Sequence, residues 1–459
     1  MPDESWWAGL RTSAWWMDEV GLTKPIASGR VASDDLKNHE PVNKGVIIIG
    51  GGPAGLLAAL QLHKSNGLSP VVYEIRQKPT TLGGAVGIPS NGLRLLHRLG
   101  LYDEVAAKGA LTPKLVLHAL KGCVMGEMDL SSWSKQQTGF GYMRIQRTDL
   151  MDILIGAAKQ ADIQVRYAKV LQRIEENDDK VTVHFADGTV DTADFLLGCD
   201  GIHSAVRRLY VDPKCKPEYT GFSNMFSLVP TENLTPAASS VRTLSATLTA
   251  NGLFALTPTT PNCDLLYWFF SREIPLPAIG DVRDGWEERG KNESDNFKST
   301  LLDLLGHERS EWTDMVREVL HNTKSVQFYP IYKIPRGRPW SRGRCLVIGD
   351  AAHAMPPHAS QGVSMALEDV FLLSKLLRSD VPSIADGLLA YEAKRKQRTE
   401  QMLDAAERNG SVRKQTAPWR LRASELAISG GLWVYKMAGL EKLGLGQKPL
   451  AYDIEEEEF

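Results

Sequence analysis

The chain has 459 residues, of which 43% are apolar and 24% charged, and its formal net charge is -2. This balanced composition gives no electrostatic reason to expect nucleic acid or an anionic membrane as a partner, so a small-molecule partner is expected. No stretch approaches the roughly 20 consecutive apolar residues of a membrane span, and the length predicts two or three packed lobes.

The amino terminus and the cysteines both indicate a cytoplasmic protein. Residues 1–44 form a polar extension that begins with acidic residues instead of the basic start of a secretory signal. Its tryptophans, Trp6, Trp7, Trp15 and Trp16, are expected to fasten it to the body, because large rings gain much from burial. The five cysteines are scattered without close pairs, so we predict no metal site, no redox dithiol and a reducing compartment.

The first regular elements follow this extension. Residues 46–49 form an unbroken apolar run, typical of a strand that is covered on both faces of a parallel sheet. Leucines recur at helical spacing over 53–64, and residues 71–74 indicate a second strand. Together these segments predict a βαβ unit.

The glycine-rich segment 50–55 (GGGPAG) lies between that strand and that helix, the context in which G-x-G-x-x-G indicates dinucleotide binding. Gly50 permits the tight turn, Gly52 lets backbone amides approach a pyrophosphate, and Gly55 lets helix and strand pack closely. The helix N-terminus favours the phosphate charge. Glu74, at the end of the second strand, is placed to accept hydrogen bonds from an adenosine ribose.

Helices and a hairpin are predicted next. Helical patterns recur at 93–99 and 149–158, with Thr148 positioned to cap the second. Alternating residues at 181–185, an Asp-Gly turn and an extended stretch over 189–197 predict a hairpin.

The rest of the chain predicts a second sheet and a helical end. Extended segments rich in Thr, Phe, Tyr and Leu dominate 218–270, which we interpret as a substrate-binding sheet. Another buried strand is predicted at 345–349, an apolar-periodic helix at 361–377, and a helix at 388–408 whose charges are expected to form a solvated face. Residues 427–445 are interpreted as a packed helix, and the acidic residues 455–458 as a disordered tail.

Two later segments carry a family resemblance. GCDGIHSAVR at 198–207 and GDAAHAMPP at 349–357 resemble the DG and GD fingerprints of FAD-dependent aromatic hydroxylases, the class that includes salicylate hydroxylase-like and fungal secondary-metabolite monooxygenases. The resemblance runs from about residue 45 to residue 408. The stretch ASQGVSMALED is similar to fungal members, although Ser360 and Ser364 stand where glycine and asparagine are common.

The resemblance implies an α/β fold, α+β overall. A Rossmann-like FAD-binding domain with a parallel sheet, over 45–215 and 336–378, is interleaved with a mainly antiparallel substrate-binding sheet domain over 216–335. The amino-terminal extension over 1–44 and a C-terminal helical region over 379–459 complete the predicted organisation.

The resemblance also implies FAD as the cofactor and NADPH or NADH as a co-substrate. It places Asp350 on the ribityl chain and the backbone amides of Gln361, Gly362 and Val363 at the flavin pyrimidine, where a helix N-terminus stabilises negative charge. The other residues that it assigns to the cofactor, or to the turn beside it, are Arg76, Gly87, Arg147, Asp200, Arg207 and Pro357.

The implied reaction is that of a one-component monooxygenase. The nicotinamide reduces the flavin, O2 forms a C4a-hydroperoxide, and one oxygen atom passes to an aromatic or olefinic small molecule by hydroxylation or epoxidation. Because the flavin supplies the difficult chemistry, few catalytic side chains are needed. His203 and His358 are the candidate catalytic residues, Tyr219 is a further proton acceptor to consider, and His353 is expected to be structural.

Two alternatives stay open at this point. One is a halogenase or reductase of the same fold, although the W-x-W-x-I-P halogenase signature is missing. The other is a non-catalytic dinucleotide-binding sensor whose tryptophan-rich N-terminus recruits a partner. Substrate identity and oligomeric state also stay open.

Overall fold

The computed structural model of the protein describes residues 45–79, 83–277, 283–378 and 383–457. The amino-terminal extension and the predicted role of its tryptophans lie outside these ranges. Among the helices within them, none combines the length and the hydrophobicity of a membrane span.

The strands of the described ranges lie between residues 46 and 347. In chain order, the strands of the described ranges are β1 (Val46–Ile49), β2 (Val71–Tyr73), β3 (Ala85–Ile88), β4 (Ala110–Leu111), β5 (Lys114–His118), β6 (Val124–Asp129), β7 (Met143–Gln146), β8 (Gln164–Arg166), β9 (Leu171–Glu176), β10 (Val181–Phe185), β11 (Val190–Ala193), β12 (Phe195–Gly198), β13 (Glu218–Pro230), β14 (Leu244–Thr249), β15 (Gly252–Pro258), β16 (Leu265–Glu273), β17 (Gln327–Lys333), β18 (Ser341–Arg342) and β19 (Cys345–Val347).

Helices are interspersed with these strands and dominate the C-terminal part. In the same ranges the α-helices are α1 (Pro53–Asn66), α2 (Ser90–Leu99), α3 (Tyr102–Lys108), α4 (Ser132–Thr138), α5 (Arg147–Gln160), α6 (Arg283–Asp295), α7 (Phe297–Leu305), α8 (Glu311–His321), α9 (Asp350–His353), α10 (Gly362–Leu376), α11 (Ile384–Gly410) and α12 (Pro418–Met437).

A six-stranded sheet with the order β18-β19-β12-β1-β2-β8 forms the first layer. Its inner strands are parallel, and all four residues of β1 are buried. Continuous burial explains the unbroken apolar run of β1, because helices cover both faces of such sheets. The predicted βαβ unit is confirmed as β1, α1 and β2.

A seven-stranded sheet with the order β17-β13-β16-β15-β14-β5-β6 forms the second large layer. Alternate residues point to opposite faces of a strand. One face packs Met225, Trp268, Phe270 and Phe328 into a core with α6, α7 and α8. The opposite face carries the side chains that line the cleft described below.

The predicted hairpin is confirmed only in its first half. Strands β10 and β11 pair antiparallel, but residues 195–198 leave the hairpin and join the parallel sheet as β12. The four residues of β12 are all buried, whereas two of the four in β11 are not. A fully apolar strand is stabilised more by a sheet that is covered on both faces than by a half-exposed hairpin.

The cap predicted for the second helix is wrong. Helix α5 begins at Arg147, one residue earlier than Thr148, and Gln146 at its N-cap makes no side-chain capping bond. Strand β7 runs straight into this helix, and the amide of Arg147 donates to the carbonyl of Gly84 at 2.9 Å. A neighbouring segment therefore satisfies an amide that a cap would otherwise have to serve.

Of the two predictions for the C-terminal region, the packed helix is confirmed in part, because residues 427–437 lie in α12 and Ile428 packs against a core cluster, whereas the disordered tail is wrong. Helix α12 buries Leu421, but its outward face exposes Leu426, Trp433 and Met437, so it is packed on one side only. The acidic tail is ordered at least to residue 457, because the buried side chain of Ile454 and a bidentate contact between Arg98 and Asp453 at 2.6 Å anchor it.

Candidate cofactor and substrate cleft

The glycine turn lies at the carboxyl end of β1, the edge of a parallel sheet where ligands bind in such folds. Gly50 has a φ of 107°, and a Cβ atom there would lie 2.5 Å from the carbonyl oxygen of Cys199. A Cβ atom on Gly55 would overlap the carbonyl oxygen of Gly50, whereas one on Gly52 would meet nothing within 4 Å. Gly50 and Gly55 are therefore required for packing, whereas Gly52 leaves an open approach to backbone amides.

Glu74 fastens this turn to the end of β2. Its two carboxylate oxygens accept hydrogen bonds from the amides of Gly51 at 2.7 Å and Arg76 at 3.0 Å. A carboxylate has about four acceptor positions, so Glu74 retains capacity for a ligand hydroxyl. Sequence analysis did not predict this backbone role.

The DG segment follows β12, beside the glycine turn. One oxygen of Asp200 accepts from the amides of Ala205 at 2.6 Å and Val206 at 3.2 Å. Its other oxygen is buried and has no hydrogen-bond partner in the described ranges, and burial raises the pKa of this carboxyl group. Asp200 thus orders the turn and also has one unsatisfied acceptor.

Arg207 connects the DG and GD segments. It is buried and donates to the carbonyl oxygens of Ala351 at 2.7 Å, Ala352 at 3.0 Å and Pro339 at 2.9 Å. The two fingerprints, far apart in sequence, are thereby held together at one edge of the sheet.

Asp350 and Arg147 lie close enough in space for their charges to interact. Asp350 begins α9 directly after β19 and is solvent-exposed, as is Arg147 at the start of α5. Burial nevertheless lowers the pKa of Arg147, and the charge of Asp350 opposes this effect. A side chain that water reaches and protein atoms nevertheless surround is expected at the wall of a cleft, so we interpret the space beside Arg147 and Asp350 as a candidate ligand cleft.

The start of α10 presents free backbone amides toward this cleft. Ser360 adopts a left-handed conformation with a φ of 52°, which explains why glycine is common at this position of the family. Gln361 is the N-cap, and its buried Nε2 has no hydrogen-bond partner among the described residues. Gly362 is exposed with open space around it, and Val363 is half-buried. The Nε2 donor of Gln361 and the backbone amides beside it fit a ring edge that is rich in hydrogen-bond acceptors, such as the pyrimidine edge of a flavin.

A buried ionic cluster supports α10 from behind, and sequence analysis missed it. Asp369 accepts from the amide of Gly349 at 2.8 Å and contacts His353 at 2.7 Å and Arg395 at 2.6 Å. Glu368 bonds Arg395 at 2.7 Å. The interpretation of 388–408 as a solvated charged face is therefore wrong for Arg395, which is 0% exposed.

The two candidate catalytic histidines pack against different aromatic residues. His203 packs against Tyr332, with ring centroids 6.1 Å apart, and Tyr332 also contacts Tyr219, whose hydroxyl is occupied by the carbonyl of Ile274 at 2.7 Å. His358 follows the exposed Pro357 and packs edge-on against a phenylalanine of β13. His203 is thus linked through Tyr332 to Tyr219, whereas His358 makes its ring contact with β13.

His358 is held in its neutral form. Burial, assisted by the positive charge of Arg413, lowers the pKa of His358 to about 3. Its Nε2 is buried without a hydrogen-bond partner in the part of the chain that the structure describes. At neutral pH it is consequently a poor proton acceptor.

This depressed pKa predicts a pH-dependent stability. Because the folded pKa lies below the unfolded value of 6.5, the stabilisation is complete above about pH 6.5 and is lost as the pH falls toward 3. Between about pH 7.5 and pH 5.5, the free energy of unfolding should fall by about 1 kcal/mol more in the wild type than in a His358→Gln variant. Urea unfolding at the two pH values measures this difference, and identical pH dependence of the two proteins would show that His358 is not buried in a neutral form.

Aromatic side chains of the seven-stranded sheet form the opposite wall. The ring of Phe226 lies 5.7 Å from those of Tyr267 and Tyr329, centroid to centroid. A Cβ atom on Gly84 would overlap Tyr267, and the carbonyl of Gly84 accepts from the amide of Arg147. The aromatic wall is therefore continuous with the charged cleft. Burial raises the pKa of both tyrosines, so their hydroxyls stay protonated.

Comparison with known proteins agrees with this architecture. A family model described as an FAD binding domain matches residues 43–276 and 307–406. The chain is 27% identical over 379 residues to 6-hydroxynicotinate 3-monooxygenase of Pseudomonas fluorescens, covering 81% of this chain and 93% of that protein. It is 28% identical over 382 residues to FAD-dependent urate hydroxylase of Klebsiella oxytoca, covering 80% and 89% respectively.

A solved structure shows the same fold. HpxO of Klebsiella pneumoniae, complexed with FAD and uric acid, superposes with a TM-score of 0.72 at 24% identity, covering 89% of this chain and 97% of that one. The predicted fold class, a parallel-sheet domain interleaved with an antiparallel sheet and followed by helices, is confirmed.

Proposed function

Because this chain belongs to the FAD binding domain family and is an FAD-dependent monooxygenase of the aromatic-hydroxylase type, we propose that it uses NADPH or NADH and O2 to hydroxylate an electron-rich aromatic small molecule. Epoxidation of an olefinic substrate is the closest variant of the same chemistry. The proposed setting is secondary metabolism in the cytoplasm, which rests on the resemblance of residues 359–369 to fungal members and on the scattered cysteines.

One observation carries the proposal: exposed or unsatisfied polar groups lie next to a set of aromatic side chains, and we interpret the two as the walls of one cleft. The polar wall combines Arg147, Asp350 and the unsatisfied Nε2 of Gln361. The aromatic wall is built by Phe226 and Tyr267. A cofactor with sugar, phosphate and ring portions fits the first wall, and a flat apolar substrate fits the second.

The chain's own groups are assigned as follows. Glu74 and the amide of Gly52 bind the ribose and pyrophosphate ends, and Asp350 accepts from the ribityl hydroxyls. The amides of Gly362 and Val363 stabilise negative charge at the pyrimidine edge, because they lie at a helix N-terminus.

The remaining assignments concern the middle of the cleft. Arg76 and Arg147 are assigned to the phosphates and ribose, Gly87 to the passage beside the ring, and Asp200 to the turn that also meets the nicotinamide. FAD, when bound, supplies hydride acceptance and oxygen activation. The aromatic wall excludes water and orients the substrate ring toward the flavin. We assign no general base, since burial lowers the pKa of His358 and leaves it a weak proton acceptor.

Relatives support an aromatic substrate. Two proteins that resemble this chain are named for oxidation of 6-hydroxynicotinate and of urate, both heteroaromatic rings. We carry over only the shared class, a flat electron-rich ring.

The proposal is tested on the purified protein. A flavin absorbance spectrum, followed by NADPH and NADH oxidation and O2 uptake across phenols, quinones, indoles and polyenes, should show turnover that a substrate stimulates. A colourless protein without flavin would favour the sensor alternative, and a halide-dependent product would favour the halogenase. Flavin-bound protein without stimulated O2 uptake by any class would contradict the proposed reaction.

A further inference from the structure

Helix α12 carries a row of large apolar side chains that face solvent. The row consists of Trp419, Leu426, Trp433, Val434 and Met437, each of which is between 51% and 76% exposed. A recurrence of apolar residues at spacings of three, four or seven places their side chains along one side of an α-helix. Single exposed apolar residues are ordinary on protein surfaces, but a contiguous row marks a surface that binds something.

The inner side of α12 is fastened to the seven-stranded sheet. Leu421 is buried in an apolar cluster with residues of β6, β14 and β15. The hydroxyl of Ser429 donates to the carbonyl of Met125 on β6 at 2.9 Å, and the carboxylate of Glu425 accepts from the amide of Leu120 at 3.2 Å. The helix cannot roll to bury its apolar row without losing these contacts, so the row is held outward.

The turn that follows α12 extends this surface. Leu443 and Leu445 are 58% and 47% exposed, on either side of the buried Gly444. A Cβ atom on Gly444 would overlap the ring of Trp133 on α4, so the chain is packed closely against the body at this point. We call the row on α12 together with Leu443 and Leu445 the apolar face.

The exposed charged side chains around the apolar face are all basic. Helical geometry places Arg420 beside the row on one side, and Arg422 and Lys436 beside it on the other. The two acidic residues of 411–450, Glu425 and Glu441, are half-buried. The exposed charged residues of that range are Lys414, Arg420, Arg422, Lys436, Lys442 and Lys448. This local positive charge does not follow from the balanced composition of the whole chain.

An apolar face with basic borders is complementary to the surface of an anionic lipid bilayer. Tryptophan rings favour the headgroup level, while leucine and methionine side chains reach the acyl boundary. Lysine and arginine keep their charged ends at the lipid phosphates. A second copy of the chain is less complementary, because a two-fold contact would bring this surface against itself and its basic borders close together.

We propose that α12 and the turn after it bind peripherally to an anionic membrane surface. The helix lies in the plane of the bilayer, and the apolar face enters the interfacial layer. The anionic lipids of a cytoplasmic leaflet supply the matching charge. This inference is independent of the proposed reaction, because the apolar face and its basic borders include none of the residues assigned to the cofactor or the substrate.

Flotation of the purified full chain with lipid vesicles tests the proposal. Vesicles of phosphatidylcholine alone are compared with vesicles that also contain about 30% phosphatidylserine. The anionic vesicles should bind the protein about tenfold or more tightly than the neutral ones. Raising the salt concentration from about 0.1 M to about 1 M should weaken binding to the anionic vesicles by about tenfold or more, because salt screens exposed charges.

An apolar variant locates the contact. Leu426→Gln should weaken binding to the anionic vesicles by about tenfold, since it replaces an apolar side chain that enters the interface. Leu389→Gln changes a leucine of α11 that is 62% exposed and lies outside the apolar face, so it should bind like the wild type. Both positions are exposed, and circular dichroism checks that both variants fold.

A charge variant tests the basic borders. Arg422→Gln combined with Lys436→Gln should weaken binding to the anionic vesicles by about 25-fold, or about fivefold for each charge, and should change binding to neutral vesicles little. Arg309→Gln combined with Arg336→Gln removes two arginines from exposed ion pairs elsewhere and is the matched control. It should retain the wild-type affinity.

Two vesicle results would overturn the proposal: a wild type that does not float with the anionic vesicles, and a wild type that binds neutral vesicles equally well. Equal affinity of Leu426→Gln and Leu389→Gln would also refute it. Sedimentation velocity without vesicles tests the second copy. A wild-type dimer that Leu426→Gln dissociates would assign the apolar face to another protomer instead of a membrane. None of these measurements involves turnover, so their failure would leave the proposed reaction unaffected.

Discussion

An Asp350→Ala variant should retain FAD about 10- to 100-fold less tightly than the wild type, the size expected for loss of charge-assisted hydrogen bonds. The carboxylate stands at the exposed end of β19 and accepts from sugar hydroxyls in the proposed complex. Its removal also eliminates the negative charge that opposes the desolvation of Arg147. Flavin content after gel filtration and the fluorescence of released flavin on dilution measure the effect.

Two controls make this result specific. Asp350→Asn retains an acceptor of the same shape without charge, so its FAD affinity should lie between those of the wild type and Asp350→Ala. Asp404→Ala removes an exposed carboxylate on α11, the ion-pair partner of Arg336. This variant should leave flavin content unchanged. If Asp350→Ala kept full colour and full turnover, the assignment of the GD aspartate to the cofactor would have to be given up.

Replacing Arg395 with methionine should have the largest effect on stability, a loss of about 3–5 kcal/mol in the free energy of unfolding. The guanidinium is 0% exposed and bonds Glu368 and Asp369, which are also fully buried. Burial acts to raise the pKa of both carboxyl groups, but nearby basic groups, Arg395 among them, outweigh it and lower the pKa of each. Without Arg395, Glu368 keeps only Arg398 and Asp369 only His353 as a basic partner among the described residues, so the negative charge of the cluster is compensated less. Urea unfolding at neutral pH measures the loss.

Two further variants serve as controls for this prediction. One alters an exposed ion pair, and the other reduces the charge of the buried cluster. Arg336→Met breaks an exposed pair and should decrease stability by less than about 1 kcal/mol. Adding Asp369→Asn to Arg395→Met should restore part of the lost stability, because it removes one of the two buried negative charges and leaves the pair of Glu368 with Arg398 intact. Equal destabilisation by Arg395→Met and Arg336→Met would mean that the buried cluster is not held by its charges.

The same cluster connects stability to the proposed cofactor site. Asp369 accepts from the amide of Gly349, the residue before Asp350, and Glu368 accepts from Asn91, which also bonds Gln361. The groups assigned to the ribityl chain and the pyrimidine are thus held by one buried network. Arg395→Met should therefore lower flavin content as well, although Arg395 does not line the cleft in the proposed complex.

The local requirements of the backbone could be predicted from the sequence alone. An apolar run, a glycine turn and leucines at helical spacing each depend on residues that are close in sequence, so β1, α1 and the turn between them followed from the pattern. The positive φ of Gly50 belongs to the same class of local constraint. The DG and GD segments were recognisable for the same reason.

Only the tertiary structure decided which charges are buried and which strands pair. The charged pattern of 388–408 indicates a solvated face, yet Arg395 is fully buried, because two carboxylates of α10 lie opposite it. The free energy of a charged side chain depends on its partners and on the water that they displace, and these are supplied by segments distant in sequence.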